Sequence, residues 1–283
     1  MSTERQASKV GSSSLRGRFA RRPPRAPSPL NALLRAALAN ASERPAVEDG
    51  RRSLAFADLA ARVPSLAAAL RAAAGGAGGR VAVSLGNRVE WIEAWLAAFR
   101  AGVALVPLHP DLPDAVVRAA VRRIAPAAVV ADARGARVAR AACEAAPAAR
   151  GRIAVGEAGD DWERLARTPP PARWDDPGAE AVAAVFLTSG TTGEPKGVVV
   201  THANWAAGLR GLAVAFQPPG ADDVLVHATA LSHTAGELIL PALAAGARQV
   251  VVGDGDCGAA AGRIARGEGT RIFLASALLD EFV

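Results

Sequence analysis

The chain has no tyrosine, one methionine, two cysteines, two lysines and four histidines. Cys143 and Cys257 lie far apart and fit no disulfide or zinc spacing, so a reducing cytoplasm is the expected compartment. His109, His202, His227 and His233 are scattered, with no cysteine or carboxylate cluster beside them, and no protein-held metal is expected. No apolar run approaches the roughly 20 residues of a membrane span. An excess of charge is missing too, despite a net charge of +6. Residues 1–28 hold seven of the 33 basic side chains and one of the 27 acidic ones, which leaves the rest of the chain at 26 of each. A folded part without net charge argues against a nucleic-acid face.

With 283 residues, 51% of them hydrophobic, the chain can bury a sizeable core as one large domain or two small ones. Residues 1–28 are Ser- and Arg-rich and read as a disordered basic tail. Arg21-Arg22 suggests a twin-arginine signal, but Pro23-Pro24 stands where the apolar segment of such a signal would be. Ser28-Pro29 begins a helix, with a capping hydroxyl followed by proline in the first turn. A short strand is expected at Arg52–Ala55, then a helix to Ala74 that Pro64 should bend or split. Val81–Leu85 reads as a buried strand. Asn87 is placed to cap a helix faced by Ile92, Trp95, Leu96 and Phe99, which Gly102 ends. Strands and helices then alternate through Ile153–Val155, and the tryptophans Trp91 and Trp95 read as core. Residues 157–180, with Pro169-Pro170-Pro171 and Asp175-Asp176-Pro177-Gly178, read as a linker or long surface loop. Alternation resumes from residue 181 to the end, where His227 lies in an apolar strand. The expected architecture is therefore α/β, layered subdomains at 29–156 and 181–283 with mostly parallel sheets.

One stretch carries chemistry. Val182–Leu187 and Val198–Val200 are apolar runs flanking a loop with the hydroxyls of Thr188, Ser189, Thr191 and Thr192, the glycines Gly190 and Gly193, and Lys196. Glycines let a backbone approach a ligand closely, hydroxyls and N–H groups donate to oxyanions, and an ammonium adds a point charge. Only Lys9 and Lys196 interrupt an otherwise all-arginine set of cations, so a compact ammonium has a reason to stand here. A Walker loop is excluded. Counted from Gly190, its second glycine is Pro195, its metal-binding hydroxyl is Gly197, and β-branched Val198-Val199-Val200 follows where a helix should open. The pattern is strand–loop–strand around an anion, most simply a polyphosphate. The alternative is a bare Gly/Thr hairpin turn.

Thr188-Ser189-Gly190-Thr191-Thr192-Gly193-Glu194-Pro195-Lys196-Gly197 resembles, throughout, the signature loop of the adenylate-forming (AMP-binding) superfamily of acyl-CoA synthetases, amino-acid adenylation domains and luciferases. Phe99–Pro110, Leu231-Ser232-His233-Thr234-Ala235-Gly236 and Pro241–Ala247 resemble further segments in the right order, so the likeness runs from about Leu30 to Val283. It implies a truncated large N-terminal domain of that fold. It implies ATP with Mg²⁺ as cofactor and a carboxylic acid attacking the α-phosphate. A thiol, coenzyme A or a carrier pantetheine, then takes the acyl group. Thr188, Ser189, Gly190, Thr191, Thr192, Gly193 and Lys196 would hold the β- and γ-phosphates, and His233 and Gly236 would lie beside the acid pocket.

The family's Tyr-Gly-x-Thr-Glu and Thr-Gly-Asp segments are not found, nor is its C-terminal domain with a second catalytic lysine. The chain is thus expected to be inactive alone. It reads as an acyl-CoA synthetase-like piece, as half of a split enzyme completed by a separate chain, or as a non-catalytic nucleotide-binding or interaction remnant. An amino-acid or aryl-acid adenylation domain is a further alternative.

Overall fold

The computed structural model describes residues 27–146, 149, 151–156, 160–172, 175–188, 196–274 and 278–282. The basic tail up to residue 26 and residues 189–195 of the loop lie outside this set.

Ser28 caps helix α1 (Pro29–Ala39), its side chain accepting from the Asn31 amide. Strands β1 (Pro45–Glu48) and β2 (Ser53–Ala55) form a short antiparallel pair, followed by helix α2 (Phe56–Ala73). Then come β3 (Arg80–Ser84), α3 (Val89–Ala101), β4 (Ala104–Pro107), α4 (Asp114–Ile124), β5 (Ala128–Ala131), α5 (Ala136–Ala145) and β6 (Gly151–Ala154). Helix α6 (Asp161–Ala166) precedes a hairpin of β7 (Val182–Thr188) and β8 (Lys196–Thr201), which leads into α7 (His202–Ala215). The chain continues with β9 (Val224–His227), a 3₁₀ turn (Thr234–Leu238), α8 (Ile239–Ala244), β10 (Arg248–Val251), α9 (Cys257–Ala265), β11 (Arg271–Phe273) and α10 (Leu279–Phe282).

The strands form two sheets, a six-stranded one ordered β6-β5-β3-β4-β7-β8 and a five-stranded one ordered β11-β9-β10-β1-β2. Every pairing is parallel except β7–β8 and β1–β2 at the edges. The α/β class with mostly parallel sheets is thus as expected. The sheets do not divide at residues 157–180, however. β1 and β2 cross into the later sheet, and β7 and β8 into the earlier one. The 157–180 segment itself carries α6, whose Trp162 is buried.

Both faces of the six-stranded sheet are covered, which is why its strands read as unbroken apolar runs. Val81 and Val83 enter one apolar cluster while Ala82 enters another with Val106, Val121 and Val138. The first cluster also takes Val47 and Val251 of the other sheet, together with Trp91, Ile92, Trp95, Leu96 and Phe99. Helix α3 therefore lies between the sheets and is buried almost all round, its apolar residues spread over every face. At Gly102 the chain turns with φ +63°, and a Cβ there would stand 2.9 Å from Pro177, so glycine is required twice over.

Three local expectations change. Pro64 sits inside an unbroken α2, because burying Val63, Leu66 and Ala67 against the core outweighs the roughly 3 kcal/mol a helical proline costs. β1 was not foreseen. Its two buried residues, Ala46 and Val47, are too few for a period, and its partner β10 is remote in sequence. Asn87 does not cap α3 and serves the other sheet instead, as described below.

Two carboxylates of α3 are buried, Glu90 and Glu93. Arg62 donates from Nε to Glu93 at 2.6 Å, and the Trp162 indole donates to the same carboxylate at 2.9 Å. Burial pushes the Glu93 carboxyl up while Arg62 pulls it back. Arg62 and Arg52 share Glu163 at 2.6 and 2.5 Å, overcoming its burial and bringing its pKa down to about 2. Arg88 bridges Glu90 to Asp132 after β5. Removing one partner of a buried pair strands the other. Arg62→Ala is expected to cost about 3 kcal/mol or more in denaturant unfolding; a loss below about 1 kcal/mol would show that Glu93 is satisfied without it.

Candidate functional site

The loop identified by composition is the turn of the β7–β8 hairpin. Thr188 and Lys196 face each other in register at its mouth, and both are exposed. The strand–loop–strand form expected from Val198-Val199-Val200 is what the structure has. Ser189, Gly190, Thr191, Thr192 and Gly193 lie outside the described residues.

The base of the hairpin is fixed firmly. Phe186 packs against Trp95 and Trp205, with centroids 6.1 and 5.9 Å away. A Cβ on Gly197 would meet Val185 at 2.9 Å, so the strands close tightly just behind Lys196. Thr201 and Asn204 form a reciprocal capping box at 3.1 Å in each direction, which turns the end of β8 into α7. Thr201 is the cap. His202 is buried one residue further on, its Nδ1 2.8 Å from the hydroxyl of Ser28.

The second candidate segment follows β9. Gly236 is glycine for a packing reason, since a Cβ would come within 2.7 Å of the Leu231 carbonyl and 2.9 Å of the Trp95 indole nitrogen. That indole donates to the same carbonyl at 3.0 Å. Trp95 thus touches both the hairpin and the His233 segment, which belong to different sheets.

His233 is exposed, and its Nδ1 lies 2.8 Å from the Ser232 hydroxyl. Its ring centroid is 6.3 Å from that of His109, which stands in the segment after β4. His109 Nδ1 accepts from the Asp111 amide at 3.2 Å, so Nε2 carries the proton and donates to Asp254 at 2.9 Å. Asp254 follows β10, so this pair joins the two sheets. The Asp254 carboxylate raises the His109 pKa. Burial, and then the neighbouring His109, lower that of His233. The two rings are thus shifted in opposite directions side by side. His109 and Asp254 were not foreseen. His109 was visible only as the residue where a strand breaks, and Asp254 is 145 residues away. The gap bounded by Gly86, His109, Arg134, Ser232 and Asp254 has about 10 Å³, room for a water and not for a substrate.

The sequence profile of AMP-binding enzymes matches residues 34–283. The chain belongs to the AMP-binding enzyme family. It is 37% identical over 183 residues to the AMB antimetabolite synthetase AmbE of Pseudomonas aeruginosa, a match covering 63% of this chain and 8% of AmbE. It is 33% identical over 163 residues to the fatty acid–[acyl-carrier-protein] ligase MmaC of Mycobacterium marinum, covering 56% of this chain and 30% of MmaC. The apo structure of MbtA from Mycobacterium smegmatis superposes with a TM-score of 0.77 at 28% identity, over 89% of this chain and 49% of MbtA. This AMP-binding chain therefore spans less than half of each of these three relatives, and its fold is that of the N-terminal part of adenylate-forming enzymes.

Two buried histidines set a pH limit on this scaffold. Burial lowers His202 to about 4, and burial likewise lowers His227 to about 4 against a 2.7 Å contact with Gln249. The unfolded chain takes up these protons near pH 6.5 and the folded one only near 4, so stability is full above that window and falls as pH drops through it. Each histidine is expected to remove on the order of 2–3 kcal/mol by pH 4. Thermal midpoints measured from pH 7 to 4 should fall throughout, and His227→Gln should flatten the fall; a curve level to pH 4 would contradict the burial.

Proposed function

We propose that this chain carries the nucleotide-binding part of an ATP-dependent carboxylic acid ligase. Residues 188–196 grip the β- and γ-phosphates, through the loop amides, the hydroxyls of Thr188, Ser189, Thr191 and Thr192, and the Lys196 ammonium. Mg²⁺ bound with the nucleotide would add positive charge beside the phosphates that these residues hold. The observation that carries this reading is the hairpin itself. Thr188 and Lys196 are locked opposite each other by the β7–β8 ladder, at the open end of a tightly anchored strand pair.

In the whole protein, a carboxylate oxygen attacks the α-phosphorus and the bond to the bridging oxygen breaks. Pyrophosphate leaves with that electron pair, giving an acyl-adenylate. Its growing negative charge is what the loop donors and Lys196 offset. A thiol sulfur then takes the acyl carbon and AMP departs. Coenzyme A is our first choice of acceptor and a carrier pantetheine the second. We assign the acid to the neighbourhood of His233 and Gly236, where the exposed imidazole can meet a carboxylate. The cytoplasm, which supplies ATP and coenzyme A, is the proposed compartment. In a second reading the acid is an amino or aryl acid.

We further propose that residues 1–283 by themselves bind nucleotide without efficient turnover. Lys196→Ala should weaken ATP binding roughly tenfold in calorimetry, the value of one charge-assisted contact; unchanged affinity would remove the phosphate assignment. In an acid-dependent ATP–pyrophosphate exchange assay across fatty, amino and aryl acids, residues 1–283 alone should stay near background, and robust exchange would contradict the need for further groups.

A further inference from the structure

The side chain of Asn87, at the end of β3, makes three hydrogen bonds, all to the backbone of the opposite sheet. Its amide nitrogen donates to the carbonyls of Thr229 at 3.0 Å and Val252 at 3.2 Å, and its oxygen accepts from the Leu231 amide at 3.0 Å. Thr229 and Leu231 follow β9 and lead directly to His233. Val252 follows β10 and leads to Asp254. One amide thus clamps the roots of two segments whose tips carry the His233 ring and the carboxylate that pairs with His109. No shorter or singly functional side chain satisfies two carbonyls and an N–H at once.

We propose that Asn87 is the positioning residue of this site, setting the place of His233 and of the His109–Asp254 pair through the two segments it holds. Its functional meaning rests on the reading of His233 and Gly236 given above, whereas the arrangement it imposes does not. Loss of the clamp frees Asp254 from its 2.9 Å contact with His109 and moves the His233 ring from its place 6.3 Å from that of His109. The other groups facing this histidine pair are fixed from the Asn87-bearing sheet. Asp111 lies 3.8 Å from His109 Nδ1, and Arg134 is bound to Asp111 at 3.0 Å. They stay in place when the segments loosen. Asn87 is therefore separable from general bracing of the fold.

The four histidines make the test direct, because His202 and His227 are buried elsewhere and report on the intact fold. Imidazole resonances of the full chain are followed by NMR through a pH titration, with no ligand present. In Asn87→Ala the His109 midpoint should move down and the His233 midpoint up, each toward an ordinary histidine, while His202 and His227 stay as in the parent. Arg62→Ala, which destabilises the fold at a distance, should leave His109 and His233 unmoved. Asn87→Ser, which keeps one donor and acceptor, should show the same pair of shifts at smaller size and provides the test should the alanine variant not fold. Parent-like midpoints for His109 and His233 in a folded but less stable Asn87 variant would overturn the proposal and leave Asn87 as a brace. That outcome would not touch the phosphate assignment, which the Lys196→Ala calorimetry tests alone.

Discussion

Helix α3 runs between two sheets with almost no face left for water, and the architecture follows from satisfying it. Its aromatic rows bind the sheets into one core, with Trp91, Trp95 and Phe99 stacked in succession at 5.9 and 5.8 Å. Its two buried carboxylates would be ruinous alone, so arginines from α2, the β2 turn and the α3 cap gather on them. Asp132, the far end of that chain, also accepts from the Gly86 and Gly135 amides at 3.1 and 2.9 Å, tying the ends of β3 and β5 together. A single buried helix thus fixes both the layering and the sheet edge from which Asn87 reaches across.

The candidate site inherits this rigidity. The hairpin stands on Trp95 and Trp205, and the His233 segment stands on Trp95 and Asn87. Both segments are surface features with buried foundations, and the ligand-facing groups stay exposed while their backbones are held. This suits a site proposed to meet a highly charged nucleotide, since the positions of Thr188 and Lys196 at the hairpin mouth are already fixed by the strand ladder.

Much of this was legible in the sequence. Strands β3, β4, β5, β9 and β10 announce themselves as apolar runs, Ser28 and Gly102 mark real helix ends, and the hydroxyl, glycine and lysine content of 188–197 marks the hairpin before any fold is known. What was not legible depends on contacts remote in sequence. β1 exists because β10 pairs with it, and Pro64 is tolerated because α2 is packed. Asn87 looks like a helix cap because that is what asparagine does locally, and only the opposite sheet gives its amide three better partners. The His109–Asp254 pair has no local signal at all. The division into subdomains at 157–180 followed composition, whereas strand exchange between the sheets follows topology.

A crystal structure of the chain grown with MgATP would test the central claim most directly. The account predicts triphosphate density cradled by residues 188–196, with the Lys196 Nζ in contact with a β- or γ-phosphate oxygen. Triphosphate density elsewhere, with the β7–β8 turn empty, would contradict it.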